Sequence, residues 1–145
     1  VEQAYEALSA TRAAGISTKA FFMLGNPGET KKTLRATARF LRKAPLDDVM
    51  IGFFTPFPGT ELAADIDKHG EVVGSFGQMS EHEVTFIPTG LSARRLIKKR
   101  RRLYRRFYLR GRVIRHYLRR LREPSGRGVL LRAARSFLVN FVLRR

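Results

Sequence analysis

Apolar positions follow two rhythms in the first half of the chain. Residues 2–14 place Ala4, Leu8 and either Ala7 or Thr11 on one helical face, with Gly15 as the stop. Four consecutive apolar residues, Phe21, Phe22, Met23 and Leu24, then predict a buried strand over 18–24. Over 30–43 the spacing returns to the helical period through Leu34, Ala38 and Leu41, with Thr37 and Phe40 beside them. Ala44-Pro45 ends that helix, because the residue before proline disfavours helical backbone. A second apolar run, 49–54, is interrupted by Gly52 and closes in TPFPGT, residues 55–60. Residues 61–68 predict a short helix capped by Thr60 and ended by His69-Gly70.

The order over 1–68 is thus α-β-α-β-α. Continuously apolar strands separated by amphipathic helices imply a parallel sheet covered on its faces. Both strands run into a glycine-proline turn, so both loops are expected at the C-terminal edge of the sheet, where α/β folds place ligands. Two strands leave unpaired apolar edges. The expectation is that further strands precede Val1 and that the chain is the C-terminal part of a larger α/β domain. A start without Met, inside a helix, fits this.

Residues 71–90 read as irregular, with one extended piece at 84–87. Helical spacing resumes at Ser92, through Leu96, Arg100, Leu103 and Phe107 and then Ile114, Leu118 and Leu121, with Gly111 bending or splitting the run. Pro124-Ser125-Gly126 predicts a break, and 127–143 a last amphipathic helix.

Charge divides the chain at the same place as this change of pattern. Residues 1–90 hold nine Lys/Arg against eleven Asp/Glu; residues 91–145 hold twenty Lys/Arg against Glu123 alone. The net +17 therefore belongs to the second segment. The expected domains are an α/β portion over 1–90 and a basic helical tail over 91–145. A chain of 145 residues fits one ordinary domain. It has no cysteine, which excludes disulfides and thiolate metal ligands, and its three histidines, His69, His82 and His116, lack ligand spacing. No secretory signal opens the sequence, and no run reaches the ~18 apolar residues of a membrane span. A cytoplasmic location is the expectation.

The candidate chemistry lies in the two turns. GNPGET (25–30) is not a phosphate loop: two residues, not four, separate its glycines, and Glu29 stands where a lysine is needed. Pro27 also removes a backbone donor. Residue chemistry alone leaves two readings open, an ordinary strand-to-helix turn in which glycine supplies positive φ, and a ligand-contacting corner. The same alternatives hold for TPFPGT, where Phe57 covers either the core or a planar ligand.

FFMLGNPGET (21–30) followed by MIGFFTPFPGTEL (50–62) resembles the distal half of the radical S-adenosylmethionine core, in the subgroup with an N-terminal cobalamin-binding domain. There the first stretch is the fifth strand of a six-stranded partial barrel and carries a G-x-I-x-G-x-x-G-E motif. Gly25, Gly28 and Glu29 match it, while Phe21 stands at the first glycine and Met23 at the isoleucine. The second stretch resembles the sixth strand and its loop, and P-x-P-G-T-E-L, Pro56 to Leu62, is the more distinctive part. The basic RRLYRRFYLRGRVIRHYLRRL also resembles the segment C-terminal to that core in the subgroup, so the likeness spans nearly the whole chain.

The fold this resemblance implies is the last two βα units of a partial (βα)6 TIM-like barrel, followed by the α-helical basic tail. It implies S-adenosylmethionine as cofactor, with Met23, Gly25, Gly28 and Glu29 on one strand and turn, and Thr55, Pro56 and Phe57 on the other, lining the adenine or the substrate. It also implies a 4Fe-4S cluster, bound by a CxxxCxxC motif, that cleaves the sulfonium reductively to a 5′-deoxyadenosyl radical, and a place for cobalamin. Neither the cluster ligands nor the first four strands stand in this sequence. The missing N-terminal half of the barrel is therefore the expected partner, and the chain alone is expected to be inert.

The tail admits three readings: a solvated helix face packed on the barrel, an interfacial helix on an anionic membrane at the inner face, and nucleic-acid binding by phosphate neutralisation. Arginines interleaved with Tyr104, Phe107, Tyr108 and Tyr117 fit the second; no recognition motif accompanies the third. The alternative to an enzyme fragment is a non-catalytic basic module binding membrane or nucleic acid.

Overall fold

The computed structural model describes residues 1–74, 80 and 82–121, and it is a mixed α/β structure. The helix expected at 127–143 and the break before it lie outside the described residues. The chain falls into two compact units, Val1–Tyr104 and one beginning at Arg105.

Helix α1 (Glu2–Ala13) ends as a Schellman motif. Gly15 N–H donates to the Arg12 carbonyl and Ile16 N–H to that of Thr11, with Gly15 at φ 75°. None of its residues is fully buried. Tyr5, Leu8 and Thr11 are half-buried while Ala4 and Ala7 are exposed, so the inward face is turned by about one residue from the expected one. Tyr5 sets that turn: its ring stacks 4.8 Å from Phe40, and its hydroxyl donates to the Phe40 carbonyl.

Strand β1 (Lys19–Leu24) leads to helix α2 (Lys31–Lys43) and strand β2 (Asp48–Phe53). Thr30 and Thr33 cap α2 reciprocally, each side chain accepting from the other's backbone N–H. Leu34 and Leu41 are its buried stripe. The strands pair in parallel, from Lys19↔Asp48 to Leu24↔Phe53. The start of the pair is pinned by Asp47, whose carboxylate accepts from Thr18 N–H at 3.0 Å, while Thr18 C=O accepts from the N–H groups of Asp47 and Asp48.

Register makes the two faces of this pair unequal, since paired residues share a face. One face carries Ala20, Phe22 and Leu24 beside Val49, Ile51 and Phe53. It is the covered one: Phe22 meets Phe40 of α2, and the last four of these are buried. The other face carries Lys19, Phe21 and Met23 beside Asp48, Met50 and Gly52. There Phe21 is 73% and Met23 53% exposed. A strand predicted as buried throughout is in fact covered on one side.

After β2, helix α3 (Glu61–Ala64), capped by Thr60 Oγ1 accepting from Ala63 N–H, gives way to a single 3-10 turn, Ile66–Lys68. Strands β3 (Gly70–Val72) and β4 (Phe86–Pro88) then form an antiparallel pair that the irregular reading of 71–90 did not include. A side chain at Gly70 would run into the Ile87 backbone and the Phe86 ring, so the pair closes only around a glycine. Helix α4 (Ala93–Tyr108) follows, and helix α5 (Gly111–Leu121) begins at the glycine expected to split the run.

The part of α4 within the first unit packs through the expected stripe. Leu96 and Leu103 are buried, and Arg100 holds its guanidinium 4.2 Å from the Phe53 ring centroid while donating to the His82 carbonyl. Tyr104 does something different. Its hydroxyl accepts from Ile51 N–H at 2.8 Å and lies 3.5 Å from Ile51 C=O. Ladder alternation turns those two groups away from β1, so a phenol occupies the place where a neighbouring strand would pair. Burial pushes the Tyr104 pKa up and keeps the hydroxyl protonated. Tyr104→Phe leaves the Ile51 amide without its acceptor and is expected to cost about 1–3 kcal/mol. Urea unfolding checks the cost, and faster hydrogen exchange at Ile51 checks the cause.

Candidate functional site

The two turns leave the sheet together. Leu24 and Phe53 end the ladder side by side, and Phe54 N–H donates to Leu24 C=O at 2.8 Å. GNPGET and TPFPGT therefore start from one edge of one sheet, as parallel pairing requires.

Within that edge the candidate residues divide by orientation. Met23 lies on the open face of β1. Its ladder partner Gly52 adds no side chain, so Phe21, Met23 and Met50 supply the apolar surface of that face. The opposite, N-terminal end of the face is charged, with Lys19 Nζ 3.4 Å from the Asp48 carboxylate. The face is thus polar at its start and apolar where the turns begin. Phe21 and Met50 are not among the site residues expected from the sequence; the register places them on the same face as Met23.

Gly25 is buried beneath α4 and β4. At φ 82° it occupies a region that residues with a Cβ avoid, and a Cβ there would lie 3.3 Å from Leu96 Cδ1 and 3.7 Å from Phe86 O. Glu29 is 8% exposed and turns back on its own loop. Its carboxylate accepts from Gly25 N–H, and its N–H donates to Asn26 C=O. Asn26 Nδ2 donates in turn to Met23 C=O at 3.1 Å. The loop is thus braced from within, and Glu29 is its internal acceptor. Gly28 sits exposed at the tip, at φ 76° with open space around it.

In the second turn Thr55 and Pro56 are buried. Thr55 Oγ1 lies 3.4 Å from both Ser80 C=O and Thr85 Oγ1, which directs it to the β3–β4 side. Phe57 is exposed. Among the seven candidates, then, Met23 and Phe57 present side chains to solvent, Gly28 presents backbone, and Gly25, Glu29, Thr55 and Pro56 hold the loops. An open groove of about 520 Å³ lies under the second turn, between Pro56, Pro58, Ile66 and Val72. Its lining is mainly apolar and brings no titratable cluster beyond Glu61.

The chain holds no cysteine, and no group of three or more His, Asp or Glu side chains among the described residues could hold a metal ion. Its donor set does not fit a 4Fe-4S cluster. No helix among the described residues is long and apolar enough to cross a membrane.

No known protein family profile matches the chain, and no solved structure matches it. Over 61 residues it is 31% identical to an uncharacterised methyltransferase of Pyrococcus horikoshii. That alignment covers 42% of this chain and 13% of the archaeal protein, so the chain spans a small part of its relative's length.

Burial raises the Glu29 pKa; hydrogen bonds from the Gly25 and Asn26 backbone and the charge of Lys99 oppose the shift without cancelling it. A carboxyl with a raised folded pKa binds its proton more tightly in the folded state. Its contribution to stability is complete below the ordinary glutamate pKa and is lost as pH rises through the raised value. Glu29→Gln keeps an acceptor for Gly25 N–H and is expected to flatten that slope while leaving stability at neutral pH within about 1 kcal/mol. Glu29→Ala leaves a buried donor unpaired and is expected to cost about 1–3 kcal/mol. Thermal unfolding of both variants between pH 4 and pH 8 separates the two effects.

Proposed function

We propose that this chain supplies the adenine-facing wall of an S-adenosylmethionine site in a radical S-adenosylmethionine protein. The observation that carries the reading is the open apolar face of Phe21, Met23 and Met50, ending at two braced turns on the C-terminal edge of a parallel pair. The two motifs of the sequence and the partial likeness to a methyltransferase support the same class of cofactor.

In this reading Met23 and its neighbours offer a flat apolar surface to one side of the adenine ring. Soft, polarisable methionine suits such contact. Backbone at the tip of GNPGET and around Phe57 lies at the rim, where a ring edge or substrate would sit. Glu29, Asn26 and Gly25 fix the turn so that Met23 keeps its place. S-adenosylmethionine supplies an activated sulfonium when bound. The chain's own residues orient it and exclude water from one side; they perform no bond-breaking step. The cluster has no ligands here, and any cobalamin domain would also belong to other sequence.

The barrel completes itself at β1 in this proposal. Tyr104 closes the outer edge of β2, whereas among the described residues no strand pairs with the outer edge of β1, where Lys19 and Phe21 turn their backbone groups. The expected occupant is a preceding parallel strand, within the missing N-terminal half.

The coding DNA upstream of Val1 gives the first test. An in-frame CxxxCxxC within roughly one domain length, about 100–200 residues, is expected; a start codon just before Val1 would sink the reading. In the protein so defined, Met23→Lys is expected to weaken S-adenosylmethionine binding at least about tenfold by equilibrium dialysis. Met23→Leu should stay within about threefold, since volume-conserving apolar exchanges cost little.

A further inference from the structure

The second unit carries a surface that the cofactor reading leaves unused. Its first residues, the last turn of α4, and helix α5 are joined by aromatic contacts. Tyr108 lies 5.3 Å from Phe107 and 6.1 Å from Tyr117, and Arg110 holds its guanidinium 4.6 Å from the Phe107 ring centroid. These contacts fix the rotation of α5. Val113 faces inward, at 1% exposure, and Tyr117 is half-buried.

The flank of α5 about 100° round from Val113 and Tyr117 is apolar and open. Ile114 and Leu118, one turn apart, are 42% and 54% exposed, and Leu109 just before the helix is 70% exposed. Arg115 and Arg119, also exposed, follow each of them by one residue and so flank the stripe. No carboxylate lies between Glu83 and Glu123, so the intervening stretch carries positive charge alone.

Charge and apolarity together select the partner. A nucleic-acid surface takes the arginines but gives exposed Ile114 and Leu118 no apolar environment. A protein groove takes the apolar pair but must also carry the acidic charge to match. An anionic lipid surface supplies both in the right order, phosphates at the headgroup and acyl chain beneath. We infer that α5 lies on anionic lipid membrane, with Ile114 and Leu118 entering the acyl boundary and Arg115 and Arg119 at the phosphates. The eleven-residue helix spans about 16 Å, which suits a helix in the interface plane. The docking rests on the second unit alone and stands or falls separately from the cofactor reading.

Co-sedimentation of the whole chain with vesicles tests it. Binding is expected to vesicles of phosphatidylcholine mixed equally with phosphatidylglycerol, and not to phosphatidylcholine alone. Ile114→Asp/Leu118→Asp, at exposed positions, is expected to weaken binding at least about tenfold. Arg115→Gln/Arg119→Gln is expected to weaken it about 30-fold, close to fivefold per arginine. Circular dichroism confirms that both variants keep the helical content of the parent. Binding to neutral and anionic vesicles alike, or unchanged by the apolar double variant, would overturn the proposal. So would the absence of vesicle binding, or tighter binding to a structured RNA that survives Ile114→Asp/Leu118→Asp. Self-association by light scattering that the same variant abolishes, without lipid binding, would assign the face to a second copy instead.

Discussion

Two parallel strands expose two faces and two edges, and the way this chain treats each of those four surfaces governs the rest of its first unit. One face is closed by α2 and α4, through Phe40, Leu34 and Leu41 on one side and Arg100 on the other. The edge of β2 is closed by the Tyr104 hydroxyl, which pairs with Ile51 in place of a strand. At the edge of β1, among the described residues, the Met23 carbonyl is met by Asn26. The second face, with Phe21 and Met23, stays open. Along the strands, the apolar residues of that open face gather toward the C-terminal ends, where the two glycine turns begin.

Much of the fold could be read along the chain because the helices bury single stripes. Leu34 and Leu41, and Leu96 and Leu103, are the positions that the helical period marks, and both are buried as pairs. Gly15 and Thr30 act as the stop and cap their residue types imply. The strands were harder. A continuous apolar run does not distinguish a strand covered on both faces from one covered on one, because Phe21 and Met23 on the open face of β1 are as apolar as Phe22 and Leu24 on its covered face. Only the register, with Phe21 opposite Met50 and Met23 opposite Gly52, defines the open surface. The β3–β4 pair escaped because each strand is three residues long, too short for any period, and is joined by contacts at Gly70 that no local pattern encodes.

The candidate site was legible as a set of positions and not as a division of labour. Glu29 reads in the sequence as an acidic residue at a ligand-facing turn. Folded, it spends its carboxylate on Gly25 N–H, four residues back, and so belongs to the frame of the loop. Thr55 likewise points to Ser80 and Thr85. Tyr104, counted in the sequence among the aromatic residues that suit a lipid interface, is taken up by the β2 edge. In each case the partner is distant in sequence or set by a turn geometry, and residue type alone does not name it. The aromatic contacts of Tyr108 and Tyr117 have the same standing: they decide which side of α5 faces out, and hence that Ile114 and Leu118 share an exposed side.

The size of the open face bears on what the chain can hold by itself. Covering one side of a planar heterocycle removes on the order of 100 Å² of apolar surface from water, worth about 2–3 kcal/mol. Millimolar affinity already requires about 4 kcal/mol, and immobilising the ligand subtracts from the gain. In the proposed cofactor reading, Met23, Phe21 and Met50 would orient an adenine ring and add to its binding, and its retention would require contacts from the other side. The braced turns suggest why so much local hydrogen bonding is invested in so weak a surface. A wall that contributes little affinity contributes position, and position is kept only if the loop beside it does not move. Gly25, Asn26 and Glu29 brace the loop that follows Met23, and Met23 itself is paired with Gly52.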